Sequence, residues 1–417
     1  MSQLLPFALR LARVRRRIDE IAAWRVRARA PIGGWAFDGA PIAVGSAWPA
    51  TDGVRRLTAE RFEVPGGWPL AETRLALDVG GESLLTIAHD SGRRLSLGLD
   101  LNHTEFVLDE PGGALEVEAV AKGPFGQAVR EPRLTRAELI WTEPDVGALT
   151  RTLRLTADLA AEIEGHELAD ELLELAETTM ARLVWPTRTL DVVGRESGYG
   201  RWYGGRDALD PGVQMTPLPE TARASAREAA ARFTIELKAL QARFPPQGAV
   251  AYVGHAHLDT AWLWPIEETR RKVKRTFSTA ADLIRRHPGF RYAQSFAEYY
   301  RGLEDDDPAL LAEVKRLAAE GRWEPVGGLW VEPDINMPSG ESLVRQALYG
   351  QRHFGATFGA RHTVAWLPDT FGFSPALPQI LAGDTFKRIT SRGGSKRGWR
   401  RGNLPLAATA WGSPFPA

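Results

Sequence analysis

The 417-residue sequence contains no cysteine, which excludes disulfides, thiolate metal sites and a thiol nucleophile together. Any bound metal must then be held by carboxylates and by the chain's eight histidines. No run approaches the roughly 18 to 20 apolar residues of a membrane-spanning helix. Net charge is missing too, since 52 basic side chains face 52 acidic ones, and this leaves no field to attract nucleic acid or an anionic bilayer. Neither partner is expected. Acids are absent from Met1 to Arg17, as in a targeting segment. The apolar run from Leu4 to Leu9 is short and is broken by Arg10, however, and no small-residue cleavage site follows. Together with the zero cysteines this fits a cytoplasmic location.

What is present fits a multidomain globular protein: 44% hydrophobic and 25% charged residues, over a length that suits two or three domains. Phe7, Leu11, Val14, Ile18 and Ile21 recur at spacings of four and three among Arg13, Arg15, Arg16 and Arg17, so residues 1–30 read as an amphipathic helix. Its apolar side suits packing on its own protein, and its heptad-like stripe leaves a homo-oligomer contact open. From 31 to 145 the period becomes two, through Leu75, Leu77 and Val79, then Leu95, Leu97, Leu99 and Leu101. Gly66-Gly67, Gly80-Gly81 and Gly112-Gly113 mark turns. This pattern predicts an antiparallel β-sandwich, with Trp35, Trp48, Trp68 and Trp141 as packing residues ahead of any role as sugar platforms.

Residues 146–247 return to a helical period. They include a glycine- and aromatic-rich loop at 196–205 and an alanine-rich helix from Pro219 to Arg243, ended by Phe244-Pro-Pro-Gln-Gly248. Beyond that breaker, strands are predicted at Val250 to Val253, Phe290 to Gln294, Trp323 to Val326 and Thr363 to Leu367. Helices are predicted at Glu267 to Arg286, Pro308 to Glu320 and Gly340 to Phe354. Asp307 is an N-cap before Pro308, and Gly321 ends the same helix. Such an alternation builds a parallel sheet.

Two stretches carry chemistry. In Gly254-His-Ala-His-Leu-Asp-Thr-Ala-Trp262, a strand's period would put His255, His257 and Asp259 on one face, and two imidazoles with a carboxylate suit zinc. In Trp366-Leu-Pro-Asp-Thr-Phe-Gly372, Asp369 follows another apolar run, and carboxyl ends of parallel strands share one rim. Trp330, Glu332 and Asp334 end the third strand, where they serve either as pocket lining or as rim structure and caps.

Taken together, the two stretches resemble glycoside hydrolase family 38, the alpha-mannosidases. The likeness continues through Gly321-Arg-Trp-Glu-Pro-Val-Gly-Gly-Leu-Trp-Val-Glu-Pro-Asp334 and Pro338-Ser-Gly-Glu-Ser-Leu-Val-Arg345. The resemblance implies an N-terminal helix and β-sandwich followed by a seven-stranded β/α barrel, here incomplete over 248–382. It implies a zinc-dependent retaining enzyme acting on mannose-containing oligosaccharides, with His257, Asp259 and Asp369 as zinc ligands and Asp369 also as nucleophile. By the same resemblance Trp262 stacks on the mannose that is cleaved. His255 matches a non-ligand position and is read as orienting the metal face, with Trp330 and Asp334 as outer residues of the site.

The resemblance stops near Leu381. Residues 383–417 carry Lys387, Arg388, Arg392, Lys396, Arg397, Arg400 and Arg401 against Asp384 alone and show no apolar period, so a disordered basic tail is expected. In the family the acid/base carboxylate and a fourth zinc ligand, a histidine, come from the later barrel, whereas no histidine follows His362 here. The chain as written is therefore expected to be an impaired alpha-mannosidase. The alternatives are a metal-dependent amide or ester hydrolase that uses the histidine pair, and a non-catalytic carbohydrate-binding remnant.

Overall fold

A computed structural model describes residues 5–186, 217–384, 386, 388–391 and 407–408, the last two stretches by backbone alone. The loop at 196–205 and most of the basic tail lie outside the described residues. Helix α1 (Phe7–Ala22) buries Val14, Ile18 and Ile21 on one stripe, as its spacing requires. Arg13, Arg15 and Arg16 are exposed. Arg10 departs from them: it is 6% exposed and is clamped by Asp170 and Glu177 at 3.0 and 2.8 Å. The helix also ends earlier than residue 30. A single 3₁₀ turn at Ala23–Arg25 leads into strand β1 (Val26–Pro31), whose alternating Val-Arg-Ala-Arg-Ala pairs antiparallel with a later strand.

The sandwich continues through β2 (Trp35–Phe37), β3 (Ala40–Pro41), β4 (Arg55–Glu63), β5 (Thr73–Asp78), β6 (Glu82–His89), β7 (Arg94–Leu99), β8 (Glu105–Val107), β9 (Gly112–Val120) and β10 (Arg136–Thr142). One sheet has the order β1-β10-β5-β8 and the other β3-β2-β4-β9-β6-β7, with antiparallel pairing throughout. Leu57, Leu75, Leu77, Leu85, Leu115 and Val117 form the shared core, all fully buried. The indoles pack as expected: Trp35 and Trp48 are buried with their N–H groups on the carbonyls of Ile32 and Val79. Trp68 stacks obliquely on Trp141, which donates to Glu72 at 2.8 Å.

Helices α2 (Pro144–Glu162), α3 (Glu167–Ala181) and α4 (Glu220–Arg243) pack with α1 around Leu149, Leu153, Leu172, Leu173, Ala226 and Phe233. After the proline pair, α5 (Ile266–Arg286) lies against β7 and β6 of the sandwich. This explains why β6 is buried on both faces. The join is ionic at its centre. Glu82 of the sandwich takes Lys272 and, at 3.1 Å, Arg275 of α5, and Arg275 also reaches Glu268 at 2.6 Å.

The remaining elements are β11 (Tyr292–Gln294), α6 (Ala297–Asp306), α7 (Pro308–Ala319), β12 (Trp323–Pro325), α8 (Gly340–Phe358), β13 (Val364–Leu367), α9 (Leu377–Ala382), β14 (Arg388–Ser391) and β15 (Ala407–Ala408), with β11, α7, β12, α8 and β13 where the sequence predicts them. Asp307 caps α7 by accepting from the Leu310 N–H, and Ser339 caps α8. Helix α6 is an element that the sequence pattern did not indicate. Strands β11 and β12 pair in parallel, as do β13, β14 and β15, and a single parallel bridge from Gly327 to Ala365 joins the two groups. Gly327 and Gly328 have φ of 102° and 60°, and a side chain on either would strike Trp366, or Gln351 and Phe386. Only glycine turns the chain this tightly.

Among the described residues the parallel strands form an open array. Two expectations are corrected here. Residues Val250 to Val253 form no strand, only the single bridge from Gly254 to Tyr292. This stretch lies at the sheet edge with Val250 and Tyr252 73% and 91% exposed, so packing contributes little to holding a ladder there. The tail differs too, since β14 and β15 are regular strands within it.

The ionic join yields a prediction. Glu82→Ala leaves Lys272 and Arg275, 4% and 5% exposed, short of their shared acid, and should destabilise the sandwich by about 3–5 kcal/mol in urea unfolding. Glu63→Ala, on an exposed strand end, should leave the transition in place.

Candidate metal centre and active site

The loop after Gly254 is held by side chains in place of a strand ladder. Buried Gln294 donates to the Ala256 carbonyl at 3.0 Å, and Tyr299 donates to that of Leu258. Thr269 donates to the Thr260 carbonyl at 2.7 Å and accepts from the Trp264 N–H at 3.0 Å. Without a strand's strict alternation, His255 parts from His257 and Asp259, against the shared face expected from their spacing. Its Nδ1 lies 3.0 Å from the Ala293 carbonyl and its ring meets Trp366 edge-on at 5.0 Å, while burial pushes its pKa below the usual imidazole value. His255 anchors the loop from beneath.

His257, Asp259 and Asp369 do converge, each offering one ligand atom with all three within 4.8 Å of one another. His257 Nε2 lies 3.3 Å from Asp259 Oδ1 and 3.6 Å from Asp369 Oδ2. Ligands bound at about 2.1 Å around a tetrahedral ion stand about 3.4 Å apart, so this nitrogen-and-oxygen set fits zinc in both chemistry and spacing. The three residues come from the ends of two parallel strand positions, Gly254 and β13, that face one rim.

Glu332 completes the group and is the residue whose importance the sequence understated. Its Oε1 accepts from the Asp369 N–H at 2.7 Å and from the Thr370 hydroxyl at 3.2 Å, and its Oε2 lies 3.7 Å from His257 Nδ1. Burial pushes its carboxyl above the usual carboxylate pKa, and the Asp369 charge adds to this. The Asp369 N–H, His257 and Thr370 pull the other way. Of its two companions, Asp334 is exposed and caps a turn by accepting from the Asn336 and Met337 N–H groups at 2.7 and 3.0 Å. Trp330 meets His353 edge-on at 5.8 Å and lines a recess of about 320 Å³ with Arg345, Gln346 and Tyr349. Trp262 is 55% exposed and braced at right angles by Trp264 at 5.4 Å, a presented indole face.

Residues 247–393, about a third of the chain, match the glycosyl hydrolases family 38 N-terminal domain. The match reaches past Leu381 and takes in β14. Among curated relatives, the chain is 45% identical over 146 residues to "Alpha-mannosidase 2C1" of Mus musculus, covering 35% of this chain and 14% of that protein. It is 44% identical over 129 residues to "Alpha-mannosidase" of Saccharomyces cerevisiae, covering 31% and 12%. A solved structure, an alpha-mannosidase from Enterococcus faecalis V583, aligns at 25% identity over 33% of this chain and 16% of that one, with a TM-score of 0.31. The chain thus spans about one seventh of the length of the first of these curated relatives.

The divergence of the two histidines is testable by metal analysis after equilibration with zinc. His255→Asn should keep the zinc content of the wild-type chain, whereas His257→Ala should lower it to background. Equal loss in both would restore His255 to the metal face.

Proposed function

We propose that this chain contributes the catalytic face of a zinc-dependent retaining alpha-mannosidase that hydrolyses terminal α-mannosides of oligosaccharides in the cytoplasm. On this reading its parallel strands are the first staves of a β/α barrel. The observation that carries the reading is the convergence of His257, Asp259 and Asp369 inside the family-matched segment. The named relatives are alpha-mannosidases, and the cysteine-free composition suits a reducing compartment. Among the described residues no helix is long and apolar enough to cross a membrane.

Zinc held by His257, Asp259 and Asp369 supplies a Lewis acid for sugar hydroxyls. The chain's own residues do the rest. Trp262 presents its exposed ring to the apolar face of a mannose and orients it over the rim. Asp369 turns Oδ2 toward His257. Its carboxylate attacks the anomeric carbon, displacing the leaving oxygen and forming a glycosyl ester, which water then hydrolyses with retention. The Glu332 contact to the Asp369 N–H fixes the backbone that aims the nucleophile. Protonation of the leaving oxygen is assigned to no residue of this chain.

An activated substrate isolates the step assigned to Asp369. With 2,4-dinitrophenyl α-mannoside, whose leaving group departs without a proton, the chain should release dinitrophenolate. Asp369→Asn should slow this by about a thousand-fold or more, and chelation should abolish it. Release insensitive to both would overturn the assignment, and lack of inhibition by a mannosidase-type iminosugar would point to amide or ester hydrolysis by the same metal group.

A further inference from the structure

An imidazole binds a metal through one nitrogen, and the hydrogen bond made by the other decides which. In this structure the two nitrogens of His257 face different partners. Nε2 lies within hydrogen-bond reach of Asp259 Oδ1 at 3.3 Å and 3.6 Å from Asp369 Oδ2, a position that zinc would take over, while Nδ1 faces Glu332 Oε2 at 3.7 Å. That oxygen is buried and has no hydrogen-bond donor of its own. The other oxygen of the same carboxylate is occupied by the Asp369 N–H and the Thr370 hydroxyl. One side chain, 13% exposed, therefore reaches both loops that carry the metal group, from a third segment that follows β12.

We propose that Glu332 is a positioning residue of this centre: by accepting from His257 Nδ1–H it holds the imidazole in the tautomer that presents a bare Nε2 to the ion, while it ties down the backbone of Asp369. The inference rests on the zinc reading above. A shortening of about half an ångström brings the 3.7 Å separation into hydrogen-bond range, a movement of the size by which such contacts tighten once a site is filled. No other acceptor is needed for Nδ1. The tie also explains why a carboxylate stands at position 332: an amide would have to keep its oxygen for the Asp369 and Thr370 donors, which turns its NH₂ group toward Nδ1 and favours the opposite tautomer.

The test uses the full chain labelled with ¹⁵N-histidine, with His257→Ala to assign the resonance. Long-range ¹H–¹⁵N spectra of the zinc-loaded chain should show His257 protonated on Nδ1, with Nε2 given up by Asp259 to the ion. Glu332→Gln should shift it toward the Nε2–H form. In competition with a chromophoric chelator, Glu332→Gln should weaken zinc binding about 10- to 100-fold at unchanged stoichiometry, with Glu332→Asp between the two. A wild-type His257 protonated on Nε2 overturns the proposal whether or not any variant folds. So does a Glu332→Gln chain with wild-type tautomer and wild-type zinc affinity. Failure of the wild-type chain to bind zinc at all, read from the chelator competition, would instead sink the zinc reading.

Discussion

The site depends on a buried amide. Gln294 is fully buried at the end of β11, accepts from the Tyr292 hydroxyl at 2.5 Å and donates to the carbonyls of Ala256 and Ser295 at 3.0 and 2.8 Å. The loop that carries His257 and Asp259 has only the Gly254 bridge as regular pairing. Its backbone oxygens must therefore find donors among side chains, and leaving one unmet in such surroundings typically costs about 1–3 kcal/mol. Gln294, Tyr299 and Thr269 meet that need from three different positions on the rim. They hold the loop without a ladder and free it from a ladder's alternation, which is why His255 can turn inward while His257 turns out.

Sequence reasoning reached the parts governed by local rules. The cap at Asp307, the turn at Gly321 and the apolar runs of β11 to β13 all have short-range physical causes, and these elements formed close to where their residues indicate. Where pairing depends on a distant neighbour, reading from periodicity went astray. Val250 to Val253 has strand composition but sits at the sheet edge. Val26 to Pro31 has strand alternation too weak to stand out beside a strong helical stripe, and becomes a strand because β10 is there to receive it.

The site shows the same division. The convergence of His257, Asp259 and Asp369 was legible from the two stretches that carry them. Glu332 was visible only as one of three polar or aromatic residues at alternate positions, and nothing local distinguishes it from Asp334. The difference arises from the turn at Gly327-Gly328, which carries the following segment under β13 and brings Glu332 to the Asp369 loop. The buried cluster of Glu82, Lys272, Arg275 and Glu268 was likewise out of reach, since its members lie on the sandwich and on α5 and are charged residues of a kind usually found in solvent.

The short 3₁₀ turn between α1 and β1 gives the N-terminal half its mechanical character. Arg25, at the end of that turn, binds Glu105 of β8 through its guanidinium and receives the Glu143 N–H on its carbonyl at 2.7 Å. Glu143 is the residue between β10 and α2, and its carboxylate is gripped in turn by Arg223 of α4. The chain passes between helices and sandwich at these two points, and they are cross-linked to each other. A torque applied to the helical bundle is therefore delivered to the sheets through a doubled joint, so the two layers turn together as one splinted body.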